Sequence, residues 1–260
     1  MKVDAVVLAG ADNQGKLGGV SNAEHEALIS ICGRPMVHYV LDALRASASV
    51  GRIALVGPAE ALRASGNMER VEILDRADSM VENLRIGVES LASKGPVLIV
   101  TSDIPLIHPR AVDDFIERCQ ATRAEIYYPI VRKETNERDY PGVKRTYVRL
   151  KDGVFTGGNM ALLEPRVVPA CRRMIAQAVA MRKKPWKLSR MLGFIFIVKL
   201  LSNQLTLAEI EERVERVIGF RGVAVESPYP EVGIDVDKPE DLALVEEALR
   251  RKARGSGGRD

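Results

Sequence analysis

The sequence predicts an α/β fold: one mainly parallel sheet with helices on both faces. Three observations carry this prediction. Short apolar runs recur at Val3–Leu8, Arg52–Gly57, Val71–Leu74 and Pro96–Thr101, each of strand length and the first rich in valine. Between them lie stretches with apolar residues at helical spacing, such as Met36, Val37, Val40, Leu41 and Leu44. Glycine, proline or capping residues mark the changes from one to the other. Strands alternating with helices in this way build a parallel sheet covered on both sides.

The first strand ends at Ala9-Gly10 and enters a polar loop that carries Gly15, Lys16, Gly18 and Gly19. Ala27–Ile31 is a small apolar anchor, closed by the turn Gly33-Arg34-Pro35 before the helix that starts at Met36. Strand, glycine-bearing loop and helix together present backbone N–H groups and a lysine to a phosphate. Ser79-Met80-Val81-Glu82 is a capping box opening a helix through Leu84, Val88 and Leu91. Pro96–Thr101 is the strongest strand and runs directly into Ser102-Asp103-Ile104-Pro105. A helix over Pro109–Cys119 and a strand over Glu125–Tyr128 complete the alternating part.

Beyond Pro129 the pattern changes. Residues 132–145 are polar and read as a long exposed loop, followed by a strand at Thr146–Leu150 and the run Phe155-Thr156-Gly157-Gly158-Asn159. Three helical patterns follow, at about 165–182, 188–201 and 206–218, the last opened by a second capping box, Thr206-Leu207-Ala208-Glu209. Val223–Val225 and Ile234–Asp237 read as short strands, and Lys238-Pro239-Glu240-Asp241 opens the final helix with a proline and acids in its first turn. The expected organisation is one domain over 1–254, with a helical insertion at about 165–218 and a disordered tail at 255–260.

A chain of 260 residues with 46% hydrophobic and 28% charged residues is an ordinary globular composition. A net charge of +3 is too small to argue for nucleic acid. Cys32, Cys119 and Cys171 are odd in number and without metal-ligand spacing, so reduced thiols in a cytoplasmic protein are expected. The N-terminus is a strand and not a signal core, and no segment reaches the roughly 18 apolar residues that span a bilayer. Residues 182–201 set Arg182, Lys183, Lys184, Trp186, Lys187 and Arg190 beside the apolar run Met191–Val198. This stretch has two readings, a weak membrane-surface contact or a helix packed on the core or on a second subunit, as in a homodimer.

Asp103 is the sharpest single position. It follows the carboxyl end of the best strand, where open α/β sheets bind ligands, and its carboxylate suits a divalent cation held with phosphate. The alternative is a turn or N-cap aspartate for the helix near Pro109. Asp235 and Asp237 alternate along a strand, which would point them to opposite faces, and Asp237 has the further reading of a helix cap. Lys144 and Arg145 read either as a hold for an anion or as a solvated face, and Gly157-Gly158 as a close approach to a ligand or a bulge.

Together Val7-Leu8-Ala9-Gly10, Leu28–Met36, Ser102–Pro105, Gly157–Asn159 and Asp235–Leu242 resemble the MobA-like nucleotidyltransferase superfamily, related to molybdenum-cofactor guanylyltransferases and sugar-phosphate nucleotidyltransferases. The resemblance implies a three-layer, Rossmann-like sandwich of the glycosyltransferase-A type. It implies that Leu8, Ala9, Gly10, Ala11 and Gly15 hold the nucleotide, that Lys16 grips its triphosphate and that Asn83 helps read the base. It makes Asp103 and Asp237 ligands of Mg²⁺ and Lys16 and Asp103 the catalytic pair; the basic pair Lys144 and Arg145, with Gly158 and Asn159, is the candidate acceptor site. The implied reaction is transfer of a nucleoside monophosphate from a nucleoside triphosphate to a small phosphorylated acceptor, with pyrophosphate leaving.

One departure bears on catalysis. Where the family places a lysine that reaches the α-phosphate, this chain has Glu26, and a carboxylate beside a phosphate repels it. Three accounts remain open. Lys144, Arg145 or Arg34 supplies the missing charge, Glu26 binds a metal or a hydroxylated acceptor, or the chain binds nucleotide without catalysis. A glycosyltransferase of the same fold is a further reading, opposed by the absence of Asp-x-Asp at Ser102-Asp103-Ile104.

Overall fold

The computed structural model describes residues 2–169 and 194–256. Its sheet has nine strands: β1 (Val3–Leu8), β4 (Val50–Gly57), β5 (Val71–Asp75), β6 (Val97–Thr101), β7 (Ile126–Arg132), β8 (Val148–Leu150), β9 (Gly153–Gly157), β10 (Met160–Leu163) and β11 (Gly222–Glu226), in the order β5-β4-β1-β6-β10-β7-β9-β8 with β11 beside β7. The two remaining strands, β2 (Ser30–Ile31) and β3 (Arg34–Pro35), form a separate hairpin. Its tight turn holds Cys32 at φ 49° and Gly33 at φ 80°, which the glycine adopts at no steric cost. The β5-β4-β1-β6 half is wholly parallel, as the alternating sequence pattern predicts.

Period-two alternation places β1 between two cores. Val3, Ala5 and Val7 pack with helices α1 (Met36–Ala46), α2 (Ala59–Ala64) and α4 (Pro109–Cys119) on one face. Val6 packs with α3 (Met80–Leu91) on the other. Ser79 caps α3 by accepting the Glu82 N–H at 3.2 Å. A third cluster joins Leu17 and Ile29 of the first loops and Met36 at the start of α1 to Leu106, Ile234, Val236 and Val245, the last on the final helix α8 (Pro239–Ser256).

The structure corrects four expectations. The strand assigned to Glu125–Tyr128 continues through Pro129 to Arg132. Pro129 is tolerated because β10 pairs only with Ile126 and Tyr127, and β9 only from Ile130 onward, so the missing N–H lies in the gap between them. Residues 132–145 contain a helix, α5 (Lys133–Asp139), whose polar surface has no apolar stripe to betray it. Met160–Leu163, not singled out in the sequence, is a full sheet strand. Finally, residues 234–237 form no strand.

Of the three late helical patterns, the first lies mostly outside the described residues and the second is described from Phe194 as α6 (Phe194–Leu201). Phe196 and Leu200 of α6 pack on Ile130, Leu150 and Phe155, which buries part of the apolar run against the sheet. Helix α7 (Leu207–Ile218) has the complete capping box between Thr206 and Glu209. Among the described residues no helix is long and apolar enough to cross a membrane.

Two predictions follow from this packing. A Cβ at Gly87 would overlap the Val6 side chain, so α3 lies on β1 only because that residue is glycine. Gly87→Ala is expected to lose about 1–3 kcal/mol in urea unfolding despite better helix propensity, and Val6→Ala in the same chain to restore most of it. The second concerns Glu231. Burial pushes its carboxyl up, but His108, a hydrogen bond from Tyr140 Oη (2.7 Å) and the Lys252 ammonium outweigh this and hold it at about 2. A group lowered on folding contributes stability above its unfolded pKa and loses it as pH falls through the folded one. Stability should therefore drop between 4.5 and about 2, and Glu231→Gln should make the urea midpoint flatter across that window.

Candidate active site

The site lies at the carboxyl ends of β1 and β6, which pair in parallel with Leu8 opposite Thr101. The Ser102 N–H donates to the Leu8 carbonyl (3.1 Å), which sets Asp103 beside the loop that leaves β1. A cleft of about 480 Å³ opens there, lined by Leu8, Gly10, Ala11, Glu26, Asn83 and Asp103 among others. This is the crevice position at which open α/β sheets bind ligands.

Gly10 is glycine for a steric reason. A Cβ there would sit 2.6 Å from Asn83 Nδ2, so the buried Asn83 reaches over the end of β1 only because that side chain is missing. Asn83 Oδ1 accepts the Ala77 N–H at 2.7 Å, tying α3 to the cleft wall. Ala9 is buried beneath the loop, whereas Gly15 and Lys16 are exposed. Lys16 opens a short 3-10 turn, Lys16–Gly19, and does not line the cleft. The cation that does is Arg76. Its Nη1 donates to the Gly10 carbonyl (2.5 Å) and pairs with Asp12 at 2.7 Å. Sequence reasoning missed it, and its only signal was a place just beyond β5, a neighbouring strand of the same parallel half.

Asp103 is not a helix cap. His108 caps α4, and Asp103 Oδ1 instead accepts a short hydrogen bond from Thr101 Oγ1. Burial, reinforced by Asp235 and Asp237 against the opposing Thr101 hydrogen bond, pushes the Asp103 carboxyl up to about 7. The Val236 N–H donates to the Asp103 carbonyl at 2.9 Å, and Ile234 and Val236 sink into the core beside Leu106. Because the segment is irregular, the opposite-face expectation for Asp235 and Asp237 fails. Carboxylate oxygens of Asp103, Asp235 and Asp237 lie within 4.8 Å of one another. Asp237 does not cap the final helix with its side chain; its N–H is instead bonded to Asp241 at 3.2 Å.

Arg145 closes this cluster. Its guanidinium is ion-paired to Asp235, with side chains 12% and 15% exposed, so the pair is shielded from water. Lys144 beside it is exposed. Glu26 also faces the cluster, its carboxyl raised by burial and by the charge of Asp237. Arg34 is engaged elsewhere, paired to Asp42 at 2.6 Å and stacked over Tyr39. Gly158 and Asn159 form the seam between β9 and β10. A Cβ on Gly158 would lie 2.9 Å from both Pro129 and the Val232 carbonyl, so its glycine serves packing. The Asn159 carbonyl accepts from Thr101 N–H (3.1 Å), while its buried Nδ2 has no partner.

The three carboxylates, of which Asp103 lines the cleft, are hard oxygen donors suited to a divalent cation, and the Arg76 guanidinium in the cleft suits a phosphate. Comparison with known proteins identifies the family. The sequence model of the MobA-like NTP transferase domain matches residues 5–190. A hypothetical transferase from Thermus thermophilus is 37% identical, with TM-score 0.79, over 93% of this chain and 100% of that one. A CMP:2-keto-3-deoxy-manno-octonic acid synthetase complexed with CTP superposes at TM-score 0.60 over 97% of this chain and 100% of the other, with 15% identity. A 4-diphosphocytidyl-2C-methyl-D-erythritol synthase from Anaerococcus prevotii does so at TM-score 0.60 over 96% of each chain, with 10% identity. At such identities the likeness concerns the fold. No curated protein sequence matches the chain. With most of its length matched and the cleft where the fold binds ligands, the chain belongs to the MobA-like NTP transferase family, whose fold is Rossmann-like.

Proposed function

We propose that this chain is a Mg²⁺-dependent nucleotidyltransferase that moves a nucleoside monophosphate from a nucleoside triphosphate to a small phosphorylated acceptor. The observation that carries the reading is the convergence of Asp235 and Asp237 on Asp103, which lines the β1–β6 cleft. In this reading the backbone of Leu8, Ala9, Gly10 and Ala11, with Gly15 and Asn83, holds the base and sugar. Arg76 in the cleft and Lys16 on the loop take the triphosphate. Lys144 and Arg145 receive the anionic acceptor beside the Gly158–Asn159 seam.

An acceptor oxygen attacks the α-phosphorus, a new P–O bond forms, and the bond to the β-phosphate oxygen breaks, so that pyrophosphate leaves with the electron pair. The chain aligns attacking and leaving oxygens and opposes charge that builds on the phosphates. Asp103, Asp235 and Asp237 would hold the divalent ion, which supplies Lewis-acid neutralisation of that charge. Glu26 faces the same space, and its carboxylate is compatible with transfer only if the cations around it outweigh it. That residue favours the second reading, a nucleotide-binding protein without catalysis.

Pyrophosphate release from each of four nucleoside triphosphates with Mg²⁺ and pooled sugar or polyol phosphates separates the two. Release with at least one pair is expected, and Asp103→Asn should lower its rate at least about 100-fold. Nucleotide binding without release from any pair would establish the second reading instead. Release unaffected by Asp103→Asn would remove the carboxylates from the mechanism.

A further inference from the structure

The Arg145–Asp235 ion pair lies within the three-carboxylate cluster. Asp235 belongs to the three-carboxylate cluster, yet its partner is a guanidinium bonded through one nitrogen, Nη1. A side-on arginine–carboxylate contact would use two nitrogens in parallel, and here the Nε is buried without any acceptor. Asp103 and Asp237 have no ion pair of their own among the described residues. Arg145 stands in a segment, 143–147, that belongs to no helix or strand, and Lys144 precedes it. Both charges of the pair are largely out of water, so losing one partner without replacement is costly, whereas exchange for another cation is not.

From this we infer that Arg145 is a stand-in counter-ion: it holds Asp235 in the unloaded protein, a divalent cation competes with it for that carboxylate, and the displaced guanidinium is delivered to the anionic acceptor. The inference rests on the cluster being a cation site. Its consequence is an order of events. The acceptor meets Arg145 only when the carboxylates are already neutralised, so an acceptor phosphate is not drawn to an unloaded centre. Arg145 is in this sense a positioning residue, and competition is what distinguishes it from an ordinary structural ion pair.

The test is Mn²⁺ binding to the full chain, without nucleotide or acceptor, followed by the electron paramagnetic resonance of free Mn²⁺. Four proteins form a double-mutant cycle: wild type, Asp235→Asn, Arg145→Met and both together. Asp235→Asn should weaken Mn²⁺ at least about tenfold; Arg145→Met should tighten it about fivefold in the wild-type background and less than about twofold when Asp235 is already Asn. Equal tightening in both backgrounds would reduce Arg145 to a through-space charge and overturn the proposal. So would no tightening, or no binding at millimolar Mn²⁺. If Arg145→Met does not unfold cooperatively, Arg145→Gln carries the same cycle. Because the assay contains no substrate, its failure is distinct from a failure of pyrophosphate release.

Discussion

The hydrogen bond from the Val236 N–H to the Asp103 carbonyl is the contact on which the site depends. It docks an irregular strip near the C-terminal end of the chain onto the exit of the central strand. The bond alone contributes on the order of 1 kcal/mol. Its geometric effect is larger, because it fixes Asp235 and Asp237 against Asp103 and turns three scattered acids into one donor set. Ile234, Val236 and Leu106 keep the strip in register through apolar burial, which tolerates the electrostatic cost of the gathered carboxylates.

That cost is visible in the protonation behaviour. Burial and the mutual repulsion of the acids raise Asp103 to about 7, and push Glu26 and Asp237 in the same direction. Arg145 is the ion-pair partner that relieves part of it, through Asp235. A fold that stores like charges at one point and partly balances them with one arginine is arranged to receive positive charge there. The opposite wall of the cleft is complementary. Arg76, held by the Gly10 carbonyl, offers a cation there, and Gly10 has no side chain because Asn83 needs the space.

Much of this was legible in the sequence where a local rule decides the outcome. The strands β1, β4 and β6 are apolar runs of strand length, the caps at Ser79 and Thr206 follow from residue type, and Asp103 was found by its place after the best strand. What stayed hidden depends on partners distant in sequence. Pro129 reads as a strand end until the gap between β10 and β9 is seen. The helix α5 is polar all round. An alternation rule that holds only for extended strands pointed Asp235 and Asp237 to opposite faces, and the docked strip is not a strand. Arg76 carries no motif and enters the cleft only because Asp12 and the Gly10 carbonyl draw it in.

The central claim is that nucleotide and divalent cation share the β1–β6 cleft over the three carboxylates. A crystal structure with Mn²⁺ and a non-hydrolysable nucleoside triphosphate analogue, read by anomalous scattering, tests it most directly. The account predicts a Mn²⁺ peak bridging Asp103 and at least one of Asp235 and Asp237 to the α-phosphate, with the base against Leu8–Ala11. A nucleotide bound elsewhere, or a cleft nucleotide with no Mn²⁺ at the carboxylates, would contradict it.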